Sequence, residues 1–271
     1  MTRKSHRIIF FGGLLLTIAF SAAKAQGLKK LKEFKPGKIE NVSVDRLGNF
    51  FLIFKNGSIK KYDANGNVLA SLKNMGGEKS LALIEPWFYP KIFAYSKKNQ
   101  QLVSYDRNFK NPTQQKIDPS VAIRPLLACP TNDNKVLVLD GADLSIKKVN
   151  PFNSEVLNEF YLDSAQTKTN FTYLREYQNL IFLLDKNSGL LILSNIGKEI
   201  NRIPCQSNFG FYGEELFFIE GDKLVFFDLY TEKRREEVVG NGKFVMVTDE
   251  RIVLVTNDDR VILFEYLSKG D

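Results

Sequence analysis

Six short apolar segments, each ending on an acid or amide, recur along the chain and constrain its fold more than any other feature. They run Ile59 to Asp63, Leu102 to Asp106, Ile146 to Asn150, Leu191 to Asn195, Leu224 to Asp228 and Val261 to Glu265, and an aliphatic residue stands four before the polar one each time. The closing residues lie 43, 44, 45, 33 and 37 apart. A degenerate period near 40 marks a stack of supersecondary units, none of which can bury its apolar face alone.

A second β-rich run precedes each segment, as in Phe50 to Phe54, Ile92 to Tyr95, Val136 to Leu139, Leu180 to Leu184, Leu216 to Ile219 and Ile252 to Val255. These runs are short, aromatic or β-branched, and bounded by turn residues, which is the signature of strands. Asn, Asp and Gly fill the gaps between partners, for example Lys55-Asn56-Gly57-Ser58 and Asp185-Lys186-Asn187-Ser188-Gly189. Such residues tolerate the positive φ of tight turns, so each pair reads as a hairpin. A weaker apolar stretch comes before some pairs (Asn41 to Val44, Leu81 to Leu83, Leu126 to Cys129, Phe244 to Val247), and a more polar extended stretch follows most of them. Four strands per repeat with polarity rising along the repeat describe a propeller blade, whose first strand lines a channel and whose last faces solvent.

The expectation is therefore an all-β, six-bladed β-propeller of four-stranded blades. Other blade counts, an open sandwich and a solenoid are its competitors. After Glu265 only six residues remain, too few for a sixth outer strand. Leu28 to Phe34 is a spare strand ahead of the first repeat. Pairing it with the last blade would close the ring and remove an open sheet edge.

Residues 1–25 stand apart from this pattern. Arg3, Lys4 and Arg7 precede an apolar run from Ile8 to Phe20, and Ala23-Lys24-Ala25 supplies a small-x-small site. This reads as a cleaved export signal, with residues 26–271 as a single propeller domain. The run is 13 residues, against the roughly 20 that a spanning helix needs. Without the four cations of this segment the chain carries 34 basic and 31 acidic residues, so its charge gives no reason to expect nucleic acid.

The lone histidine, His6, falls in the signal. Nucleophile–imidazole arrangements are thereby excluded from the mature chain, and zinc or copper sites lose their usual ligand. No nucleophile elbow, phosphate loop or dinucleotide fingerprint occurs. Calcium needs only oxygens, and Asp63-Ala64-Asn65-Gly66-Asn67 has them at alternate positions. Position twelve of that loop is Asn74, where a bidentate Glu is required, so the stretch reads instead as a hairpin with a type I′ turn at Asn65-Gly66. No cofactor is expected.

Two segments invite a partner. Glu85-Pro86-Trp87-Phe88-Tyr89-Pro90 holds the chain's only tryptophan, and Trp87, Phe88 and Tyr89 form a candidate interaction loop. Lys29, Lys30, Lys32, Lys35 and Lys38 form a basic cluster that reads either as a contact for anionic lipid or polysaccharide or as an edge strand kept soluble by lysine. Cys129 and Cys205 fall on an inner strand of repeat three and an outer strand of repeat four, near opposite faces, and are expected to be free thiols.

The strand–turn–strand units ending in Tyr-Asp, as in Lys60-Lys61-Tyr62-Asp63-Ala64-Asn65-Gly66-Asn67, resemble the NHL/YWTD-like extracytoplasmic six-bladed propellers of bacteria. The Lys-, Asn-, Ile- and Phe-rich composition is similar to envelope proteins of Bacteroidota. The resemblance is one of architecture. The functional expectation is a secreted or periplasmic monomer without a membrane span, a non-enzymatic binding or assembly module for an envelope protein or glycan. The alternative is a propeller hydrolase or lyase on a sugar or lactone, using carboxylates with or without calcium.

Overall fold

A computed structural model describes residues 28–73, 81–86, 91–163 and 169–266. The expected export signal and the loop residues Trp87, Phe88 and Tyr89 lie outside the described residues. Strand β1 (Leu28–Phe34) comes first, and six antiparallel four-stranded sheets account for all the strands. Blade one is β2 (Ile39–Val44), β3 (Phe50–Phe54), β4 (Ile59–Tyr62) and β5 (Val68–Leu72). Blade two is β6 (Leu81–Glu85), β7 (Lys91–Ser96), β8 (Gln101–Asp106) and β9 (Thr113–Lys116). Blade three is β10 (Pro125–Pro130), β11 (Val136–Asp140), β12 (Ser145–Val149) and β13 (Val156–Tyr161).

Blade four is β14 (Phe171–Tyr177), β15 (Leu180–Asp185), β16 (Gly189–Ser194) and β17 (Glu199–Ile203). Blade five is β18 (Phe209–Tyr212), β19 (Glu215–Glu220), β20 (Lys223–Asp228) and β21 (Arg234–Val238). Blade six is β22 (Phe244–Val247), β23 (Ile252–Val255) and β24 (Val261–Tyr266), completed by β1 as its outermost strand. Leu28 stands opposite Tyr266 and Phe34 opposite Val261. The ring is thus a six-bladed propeller closed by its own N-terminal strand.

The second strand of each blade explains why the sequence shows continuous apolar runs there. Phe50–Phe54 and Val136–Asp140 are buried at every position, because neighbouring blades cover both faces of the sheet. Burial falls outward. Val68–Leu72 and Arg234–Val238 are mostly exposed: the second carries two arginines and two glutamates, whereas the first leaves Val68 and Leu69 open to solvent. The apolar clusters lie between blades: Phe51, Ile84 and Tyr105 join blades one and two, whereas Phe50, Val253 and Val261 join blades one and six.

In four blades the innermost strand bulges within its first three residues, at Ile39/Asn41, Leu81/Leu83, Pro125/Leu127 and Phe171/Tyr173. A bulge adds local twist, so its recurrence gives these strands a common inclination to the axis. Innermost strands abut around that axis, β2 with β6 and β22, and β10 with β6 and β14. Between β14 and β18 the contact is aromatic, Tyr173 on Phe209 and Tyr177 on Phe211.

One turn differs from expectation. Asn65-Gly66 is not a type I′ turn, because only Gly66 has positive φ, +73°. The Asp63 carbonyl accepts the Gly66 N–H at 3.0 Å, and the Asp63 N–H donates to the Asn67 carbonyl at 3.0 Å, so a type I turn leads into a left-handed fourth residue. The reason lies in Asp63. Its Oδ1 accepts the N–H groups of Asn65 and Asn67, and Oδ2 accepts the Asn67 amide. Those carboxylate oxygens hold the turn together. The same five-residue turn recurs at 45–49, 106–110, 131–135, 194–198 and 256–260, opened by Asp45, Asp106, Thr131, Ser194 and Thr256.

Cys129 and Cys205 are free and buried. Burial pushes both thiols up, Cys205 to about 11. A buried thiol held protonated is unreactive. Ellman titration of the native protein should therefore give essentially no fast-reacting thiol, rising to two on unfolding without reductant; a prompt native reaction would contradict this packing.

Candidate functional site

In antiparallel blades, turns between strands one and two and between strands three and four lie on one face of the disc, here the upper face. Turns between strands two and three and the links between blades lie on the lower face. The strand one–two turns stand nearest the axis, so they rim the upper mouth of the channel.

In blade one this turn is built around Asp45, which is nearly buried. Its Oδ1 accepts the N–H groups of Leu47 at 3.0 Å and Asn49 at 2.9 Å, and its Oδ2 meets the Lys61 ammonium at 3.1 Å. That anchoring presents Arg46 and Leu47 to solvent, and Leu47 is 68% exposed. Beside them lies a cavity of about 200 Å³ shared by blades one, five and six, lined among others by Arg46, Leu47, Ala64, Tyr212, Thr248 and Glu250.

Blades four and five extend the rim with rings. Tyr177 stacks on Phe211 with ring centres 4.1 Å apart and planes nearly parallel, and its hydroxyl donates to the Gly213 carbonyl at 2.6 Å. Next to this stack the Arg175 guanidinium lies 5.6 Å from the Phe211 ring centre. Arg175 belongs to blade four, yet its Nε meets Oε2 of Glu85, in blade two, at 2.6 Å. The pair reaches past β10, where the buried Cys129 thiol feels both charges. Glu85 is 1% exposed and Arg175 11%, so a desolvated ion pair ties three blades beside the axis. Desolvation opposes the charge on Arg175, but Glu85 and the Tyr173 hydroxyl outweigh it and hold the guanidinium charged.

The mouth offers shape, rings and an exposed cation, Arg46. At Asp133, Asp143 and Asp259 hydrogen bonds outweigh desolvation and hold the carboxyl below its usual range. A general acid for sugar chemistry requires the opposite shift. No group of three or more His, Cys, Asp or Glu residues that could hold a metal ion occurs among the described residues.

The sequence-derived candidates divide. Trp87, Phe88 and Tyr89 fall between β6 and β7, a strand one–two connection, and are outside the described residues. The basic cluster is mostly neutralised: Lys29 pairs with Glu265 at 3.6 Å, Lys30 with Glu33, and Lys35 with Asp258 at 3.8 Å, while Lys32 donates to the Asn65 and Gly66 carbonyls. Its lysines serve the closing strand, except Lys38. The sequence reading missed Arg46, Leu47 and the Tyr177–Phe211 stack. An arginine inside the aromatic run Phe171–Tyr177 was the available signal for a buried partner.

Fold and mouth together define a β-propeller with a rimmed channel. No known family profile matches the chain, and no curated protein does. Among solved structures, the β-propeller domain of Myceliophteria thermophila Cps50 (Swd1) aligns with TM-score 0.60 at 8% identity, covering 89% of this chain and all of that one. The WD40 domain of Neurospora crassa Pan2 aligns at 0.60 with 9% identity over 91% of this chain and 97% of that one. Virginiamycin B lyase from Staphylococcus aureus, a histidine-to-alanine form described as catalytically inactive and bound to quinupristin, aligns at 0.54 with 10% identity over 86% and 82%. At these identities the likeness is one of fold. Among the described residues no helix is long and apolar enough to cross a membrane.

Proposed function

We propose that this protein is an exported, non-catalytic binding or assembly module, an extracytoplasmic propeller of the NHL/YWTD-like kind, whose upper mouth docks an envelope protein or glycan. The observation that carries this reading is the rim itself. An exposed leucine and arginine stand on a turn locked by Asp45, beside a cavity and a stacked aromatic pair. Arginine and aromatic side chains on a rigid frame are the groups enriched in binding hot spots. Trp87, Phe88 and Tyr89 would extend the same rim, since their connection belongs to the same class of turn. The chemistry of the mouth supports binding over turnover. The inactive lyase lost a histidine, and here the single histidine is His6.

The test is capture of partners by the tagged protein from cross-linked native envelope, read by mass spectrometry. One stoichiometric partner is expected. Its yield should fall at least tenfold for Leu47→Asp and for Trp87→Ala, and stay unchanged for Val238→Asp on the outer strand of blade five. A partner retained equally by all variants would move the site off this mouth. Turnover of a sugar or lactone abolished by a chelator would restore the hydrolase or lyase.

A further inference from the structure

On the lower face a second cavity, of about 440 Å³, lies between the link from β1 to β2 and the β3–β4 turn of blade one, lined by Pro36, Gly37, Lys38, Phe54 and residues of 55–60 that include Lys55 and Lys60. Three lysines and no acid line it. No carboxylate among the described residues pairs with Lys38, Lys55 or Lys60. Lys38 and Lys55 are exposed, and the Lys60 ammonium stands 5.6 Å from the Phe54 ring centre. The neighbouring acid, Asp259, is already taken by the Lys243 ammonium and by the Ile39 N–H at 2.8 Å. Lys29, Lys30 and Lys35, on and beside the closing strand, pair with Glu265, Glu33 and Asp258, which the three lysines of this cleft do not.

We infer that this cleft binds a sulfate or phosphate ester carried on a sugar. Three ammonium groups around one hollow create a field that a single anion of charge −1 to −2 relieves. Lysine meets a phosphate or sulfate oxyanion as a point charge, with no fixed geometry to satisfy. The volume exceeds what a free oxyanion needs and fits within the range of small-ligand sites, with room for a pyranose bearing the ester. At the rim the Ser58 hydroxyl donates to Asn56 Oδ1, which leaves the Asn56 NH2 as a donor for a sugar hydroxyl. The cleft lies on the face opposite the proposed docking mouth, so it goes beyond that reading and stands or falls separately.

Calorimetric titration of the intact protein with a sulfated hexasaccharide and its desulfated counterpart tests this. One sulfated hexasaccharide should bind per chain, with no detectable heat from the desulfated one. The variant Lys38→Ala/Lys55→Ala/Lys60→Ala should weaken binding at least tenfold, and Lys29→Ala/Lys35→Ala, which removes equally exposed lysines, less than twofold. Raising salt from 50 to 300 mM should weaken it markedly, because exposed charges are screened. Equal binding of both sugars, no binding of either, or a triple variant within twofold of the parent would overturn the assignment. So would tighter binding of phosphatidylglycerol vesicles or of a polyglutamate peptide than of the sulfated sugar. Capture of an envelope partner through the upper mouth should be the same in parent and triple variant.

Discussion

Glu85→Ala should lower the unfolding free energy by about 3–5 kcal/mol, the usual consequence of stranding one member of a buried ion pair. For a domain of this size such a loss corresponds to a fall of roughly 10 °C in the melting midpoint. The cause is not the missing attraction alone. Arg175 would keep its charge beside Phe211 and Cys129 with no carboxylate at hand, and a guanidinium cannot shed its proton to escape. Replacing both partners together, Glu85→Leu with Arg175→Met, should recover most of the loss, since apolar groups of similar volume avoid the desolvation cost. Urea unfolding followed by tryptophan fluorescence gives both numbers. A single-variant loss below about 1 kcal/mol would mean that water reaches the pair.

Removal of residues 28–34 should have the other large effect, self-association through the freed edge of the last blade. Without β1, strand β24 presents an unpaired edge along Val261–Tyr266, and exposed apolar edges pair with other chains. Size-exclusion chromatography with light scattering should show larger species than the parent forms; an unchanged mass melting within a few degrees of the parent would disprove the latch. The same latch predicts a pH dependence. Hydrogen bonds from Lys30 and Arg260 lower the Glu33 pKa, and Thr256 followed by Arg260 holds Asp258 down to about 2. Carboxylates whose folded pKa is depressed stabilise the fold above their unfolded values, near pH 4, and lose that contribution as pH falls through the folded values. The closing strand should therefore hold at pH 5 and loosen between about pH 4 and 2.

The fold was legible because its determinants are local. Each repeat writes its own hairpin, and burial on both sides makes the second strand of every blade an uninterrupted apolar run, as at Leu180–Asp185. The closing strand was legible by subtraction, since the sixth repeat lacked an outer strand. The innermost strands of blades four and five were harder to read. Phe171–Tyr177 interrupts its apolar pattern with Arg175 and Glu176, and Phe209–Tyr212 is four residues long with a central glycine. The site was less legible for a different reason. Arg46 and Leu47 look like ordinary turn residues until Asp45 is seen bonded to Lys61, and Glu85 and Arg175 stand 90 positions apart. The lysine cleft likewise gathers Lys38 with Lys55 and Lys60 from two separate segments, whereas the sequential lysine run drew the eye to β1.

The pairing of Lys29 with Glu265 also sets an order of events in time. During synthesis β1 is made first and its partner last, so the strand that seals the ring must wait, solvated and unpaired, while five blades and most of a sixth assemble behind it. Its lysine-rich, largely exposed sequence suits that wait, because it offers little apolar surface to mispair. Contacts this distant in sequence form slowly. Docking of β1 onto β24 is therefore the contact expected to form last.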